Sequence, residues 1–91
     1  MNTKELFQIL DIYGYKNQTL KLIEEMSELT QAIMKMHFDR KTLPEQVSEN
    51  YIEELADVYL VLEQLRYGLN MEDQRKFIEI IQYKINRTLG E

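Results

Sequence analysis

The sequence predicts an all-α fold, a four-helix bundle completed by oligomerisation, and three observations carry that reading. Only three glycines and one proline interrupt the 91 residues. Every long segment repeats its apolar residues at helical spacing and none alternates as a strand would. The breaks between segments fall at residues that cap or stop helices. A chain this short makes one domain, spanning residues 1–91, and it buries a modest core that amphipathic helices commonly extend by associating.

The elements follow in order. Thr3 can cap a first helix that runs to about Tyr13, with Leu6, Phe7, Ile9 and Leu10 turned mostly inward, and Gly14 is its stop. Asn17 is placed to cap a long second helix over roughly residues 18–37, which His37 terminates. The stretch from Asp39 to Gln46 mixes charges and contains Pro44, so it reads as the one real loop. Ser48 caps a third helix ending near Gly68. Asn70, with Asp73 three residues on, opens a fourth that reaches about Leu89. Two short turns and one medium loop thus join four helices.

Composition narrows the function. A net charge of −5 argues against a nucleic-acid polymer or an anionic membrane as partner, because both demand a basic surface. No apolar run approaches membrane-spanning length. Zero cysteines remove disulfides and thiolate chemistry and suit a cytoplasmic protein. The acid and the early Asp11 near the start argue against a secretory signal. No glycine-rich phosphate loop occurs, so backbone amides of that kind are not the means of binding a triphosphate.

The informative feature is a quasi-repeat. Leu22-Ile23-Glu24-Glu25-Met26-Ser27-Glu28-Leu29 is echoed by Tyr51-Ile52-Glu53-Glu54-Leu55-Ala56-Asp57-Val58. On helical wheels that start at Leu22 and Tyr51, Glu25 and Glu54 both fall near about 300°, and Glu28 and Asp57 near about 240°. Apolar stripes occupy the adjoining arc: Leu22, Met26, Leu29, Ile33 and Met36 in one helix, Tyr51, Leu55, Val58, Leu62 and Leu65 in the other. Each helix therefore carries two carboxylates on the same shoulder of its expected buried face. Packed together, the helices would gather four carboxylates beside the core. Such a group repels itself unless a cation intervenes, and oxygen-only ligands select a hard one, Mg²⁺ or Mn²⁺. The plainer alternative for Glu25 is a salt bridge to Lys21 one turn earlier. Glu53 points outward and reads as solvated.

At these residues the sequence resembles the MazG-like, all-α nucleoside triphosphate pyrophosphohydrolases, a superfamily that includes helical dUTPases and phosphoribosyl-ATP pyrophosphohydrolases. Their EExxE…ExxD pattern is matched by Glu24-Glu25-Met26-Ser27-Glu28 and Glu54-Leu55-Ala56-Asp57, and the likeness covers nearly the whole chain. The resemblance implies Glu25, Glu28, Glu54 and Asp57 as Mg²⁺ ligands, with Glu24 behind them or orienting the attacking water. It implies metal-assisted attack at the α-phosphorus of a nucleotide, giving a nucleoside monophosphate and pyrophosphate.

Basic and polar residues extend the expected site. Lys84-Ile85-Asn86-Arg87 looks like the family's Lys-x-x-Arg element, which holds phosphates. Lys84 falls within the stripe of Phe77, Ile80, Ile81 and Ile85, where a lysine wants an anionic partner or must extend its ammonium outward. Gln18 and Lys21 continue the acidic band one turn earlier, where the family places substrate contacts; a glutamine there is otherwise an ordinary surface residue. His37 has no partner for metal or nucleophilic chemistry, and its isolation removes the Glu-x-x-His pairs of a di-iron bundle. Phe7, Tyr13, Tyr15 and Tyr59 are candidates to stack on a base, or else core or interface residues. The consecutive Tyr59-Leu60-Val61-Leu62 widens the apolar face and predicts a homodimer or homotetramer. Two other readings stand beside an active enzyme: a catalytically quiet nucleotide and metal sensor, and a helical interaction module with a solvated acidic face.

Overall fold

The computed structural model describes residues 1–38 and 46–90. These form α1 (Thr3–Tyr13), α2 (Tyr15–Phe38), α3 (Glu49–Tyr67) and α4 (Met71–Thr88). Apart from Gln46, the expected loop lies outside the described residues.

The helix ends show how local chemistry sets the elements. Asn2, not Thr3, caps α1: its side-chain oxygen accepts from the backbone N–H of Lys4, and Thr3 is the first helical residue. Gly14 stops α1 with φ at 84°, a conformation that costs glycine little, and its N–H returns to the Leu10 carbonyl. That single residue turns the chain so sharply that α2 begins at Tyr15. Asn17 consequently lies inside α2 and is not its cap. Its amide instead donates to the Tyr13 carbonyl and satisfies the exposed end of α1. Ser48 and Asn70 cap α3 and α4 as expected, accepting from the N–H groups of Tyr51 and Asp73.

Helix α2 packs along α3, and α1 packs across both. Their buried apolar residues are Leu6, Leu10, Ala32, Val58 and Val61. Phe7, expected inward, is exposed. No residue of α4 is buried, and it stands off α3 across an apolar groove of about 610 Å³ bordered by Tyr15, Tyr59, Leu62, Phe77 and Ile81. Within one chain, then, three helices pack and the fourth does not close the bundle.

The packed faces also differ from the apolar stripes. The buried line on α2 is Gln18, Glu25 and Ala32, and on α3 it is Val58, Val61 and Gln64. Met26, Leu55 and Leu62, all within the stripes, remain exposed. The contact is thus rotated toward the acidic shoulder, and the carboxylates lie along the helix–helix seam itself.

One glycine allows a close approach. At Gly68 an added Cβ would come within 2.9 Å of the Tyr15 ring and 3.0 Å of a Leu10 methyl. The ring cannot swing aside freely, because the Tyr15 hydroxyl donates to the Leu65 carbonyl at 2.9 Å. Gly68→Ala should therefore cost about 1–3 kcal/mol from overpacking. For a domain of this size we expect thermal denaturation to shift down by at least about 4 °C; an unchanged melting curve would show that the Tyr15 ring is not held.

Candidate functional site

The seam between α2 and α3 runs antiparallel, so residues early in α2 meet residues late in α3. Gln18 meets Gln64. Further along, a carboxylate oxygen from each of Glu25, Glu28, Glu54 and Asp57 lies within 4.8 Å of the others. The two acidic motifs converge because each places acids three residues apart, nearly one turn, on the face that meets the other helix.

Burial is graded across the cluster. Glu25 is 7% exposed and Glu54 half-buried, whereas Glu28 and Asp57 face solvent. The Lys21 ammonium lies 3.1 Å from Glu25 Oε1 and 3.6 Å from Glu24, so the expected salt bridge exists. It accounts for only one side of the Glu25 carboxylate. Among the described residues the other oxygen, Oε2, is buried without a hydrogen-bond partner, as is Oε2 of Glu54. A desolvated anionic oxygen with no donor is costly, and two beside further acids call for a cation.

The electrostatics follow. The Glu28 carboxyl is raised above its ordinary range, first by the charge of Glu25, then by desolvation and by the charges of Glu54 and Glu24. The Lys21 ammonium is raised chiefly by its hydrogen bond to Glu25, then by the charges of Glu24 and Glu25. The donor set is four carboxylates with no sulfur or imidazole, which suits a hard divalent cation. The residues present fit such an ion.

Beside the cluster opens a cavity of about 360 Å³, within the size range of small-molecule sites. Glu25 and Asp57 border it on the acidic side, Gln18, Lys21 and Gln64 supply polar groups, and Ile9, Tyr13, Leu60 and Val61 form the apolar walls. Four of the expected site residues thus share one cavity. Glu24 is exposed and paired with Lys21. Lys84 and Arg87 are not brought there. Lys84 lines a shallow apolar cleft on α4 with Ile81, Ile85, Thr88 and Leu89, and the Arg87 guanidinium lies 5.9 Å from the Tyr83 ring centre.

Gln64 is the residue that sequence reasoning missed. It is 1% exposed and lies seven residues beyond Asp57, two turns on, so it continues the line of the site on α3 as Gln18 does on α2. That register was legible, but a glutamine within an acidic and apolar helix gives no compositional signal.

Comparison of the chain with known protein families, with curated proteins and with solved structures finds no match.

Proposed function

We propose that this chain is a Mg²⁺- or Mn²⁺-dependent, cytoplasmic nucleoside triphosphate pyrophosphohydrolase, converting a nucleotide to its monophosphate and pyrophosphate. The observation that carries the reading is the convergence of Glu25, Glu28, Glu54 and Asp57 around two buried carboxylate oxygens that lack donors. The EExxE…ExxD resemblance and the adjoining cavity support the nucleotide as substrate.

In this reading the four acids hold the metal. A divalent cation bound there would supply charge neutralisation on the phosphates and a more acidic bound water. Glu25 and Glu54 give the site a desolvated floor, where charge interactions are stronger than in water. Lys21 keeps Glu25 in place and, being half-exposed, can turn its ammonium toward an incoming phosphate. Glu24, on the same turn, is available to orient water.

Lys84 and Arg87 enter this scheme through association. Among the described residues the cleft that Lys84 lines holds no carboxylate, so these cations would reach an acidic site by way of another copy. The exposed stripes of α2 and α3, the open groove beside α4 and the apolar face of α4 are surface that self-association would cover. We expect a homodimer or homotetramer; a monomeric mass by light scattering at micromolar concentration would contradict it.

The function is tested by incubating the protein with a panel of nucleoside triphosphates and Mg²⁺ and identifying the products. Monophosphate and pyrophosphate are expected. Diphosphate and orthophosphate would place the attack elsewhere, and no turnover with retained Mg²⁺ binding would favour a sensor.

A further inference from the structure

The buried amide pair that borders the cavity has no role in holding metal. Gln18 is 7% exposed and Gln64 1%, and the Gln18 amide nitrogen donates to the Gln64 side-chain oxygen at 2.7 Å. Among the described residues neither amide has a second hydrogen-bond partner, yet both border the cavity. Two glutamines in a helix seam are an expensive choice if they serve only each other, since an apolar pair would fill the same space.

We propose that the Gln18–Gln64 pair reads the hydrogen-bonding edge of the nucleobase, and that it accepts keto and amino bases alike. The inference rests on the nucleotide reading above. Both glutamines lie two turns, about 10 Å along the helix axes, from Glu25 and Asp57. A nucleotide whose phosphates meet the acids thus directs its base toward the amides. Ile9, Leu60 and Val61 give the cavity apolar lining, and Tyr13 borders it with a ring on which a base can stack.

The indifference to base follows from carboxamide chemistry. In the observed arrangement the pair leaves Gln18 Oε1 as an acceptor and Gln64 Nε2 as a donor. A carboxamide presents oxygen and nitrogen of nearly equal size. Rotating both amides by half a turn keeps the bond between them, now donated by Gln64, and exchanges the outer donor and acceptor. Uracil offers N3–H beside O4, and cytosine offers N3 beside an N4 amino group, the mirror order. Guanine and adenine are related in the same way. No third group pins either amide, so one pair serves both orders. Gln64 is thereby a specificity-determining residue that demands a base edge without selecting between keto and amino forms.

The test is titration calorimetry with Mg²⁺ and the α,β-imido analogues of dUTP and dCTP, with tripolyphosphate as a probe that lacks a base. The wild-type chain should bind the two analogues within about threefold of each other, and each at least about tenfold tighter than tripolyphosphate, the worth of one to two net hydrogen bonds. Gln64→Met should erase that base-dependent gain and leave tripolyphosphate binding unchanged, which a merely structural role would not do. If Gln64→Met fails to fold, Gln64→Asn and Gln18→Asn, which withdraw the amide by one methylene, are read in the same way. Retention of the gain in a folded variant overturns the proposal. So does a wild-type preference above about tenfold for one base, or no tighter binding of either analogue than of tripolyphosphate. Selective binding without hydrolysis of any triphosphate would leave the base reading standing and overturn the pyrophosphohydrolase reading alone.

Discussion

Glu25→Gln or Glu54→Gln should lower the turnover of a nucleoside triphosphate by at least about 100-fold, because even removing a residue that only supports a metal ligand commonly costs 10–100-fold. Glutamine has nearly the shape of glutamate, so packing at the seam is kept and the charge is lost. Each acid contributes one of the two buried oxygens without a donor, and an amide in that place no longer offers an anionic ligand. The comparison that decides is kcat with Mg²⁺ alongside a far-ultraviolet spectrum that shows intact helices. If Glu25→Gln keeps most of its activity, the ligand assignment is wrong, and the Lys21–Glu25 ion pair is all that Glu25 provides.

The second large effect is on stability, and its sign comes from Glu28. Its carboxyl is raised in the folded protein by the charge of Glu25, then by desolvation and the charges of Glu54 and Glu24. A group whose folded pKa lies above its unfolded one favours folding fully below the unfolded value. That contribution is lost as pH rises through the folded value. The metal-free protein should therefore surrender the Glu28 contribution on going from acid, below the ordinary carboxylate range, toward neutral pH. Mg²⁺ should restore stability there by binding only the folded chain, by about 2.7 kcal/mol at a hundred times its Kd.

Glu54→Gln tests the same idea from the other side. It relieves one of the charges that act on Glu28 and removes a ligand, so it should raise the metal-free Tm and blunt the response to Mg²⁺. Glu53→Gln, one residue away and exposed, should do neither. Equal melting of the two variants with and without Mg²⁺ would mean that the convergence of the acids has no energetic consequence.

The helices and the two acid pairs were legible because both depend on short-range periodicity. Three of the four segments open on a capping side chain and all four carry helical periodicity, and acids at matching positions of two helices share a face before any packing is known. Where this local reading failed, at Asn2 and Asn17, the competing cause was also local: an alternative cap one residue earlier and a glycine able to turn the chain at once.

What tertiary structure decided is which flank of each face is used. Apolar residues mark a broad arc, and burial in the seam was expected at its centre. In the folded chain the seam keeps Val58 of the stripe but otherwise runs through Gln18, Glu25, Ala32, Val61 and Gln64, and Met26, Leu55 and Leu62 face outward. Helix rotation is set by how the three packed helices fit together, and a pattern that is apolar over a wide arc permits several rotations of similar energy. The same freedom governs α4. Its periodicity specifies a helix with one apolar face, but only long-range packing specifies what that face meets, and among the described residues no side chain of α4 is buried. The sequence by itself therefore determined the four helices and the pair of carboxylates on one shoulder of each of α2 and α3. The rotation that buried a glutamine pair beside the cavity was determined only by the three-dimensional fit.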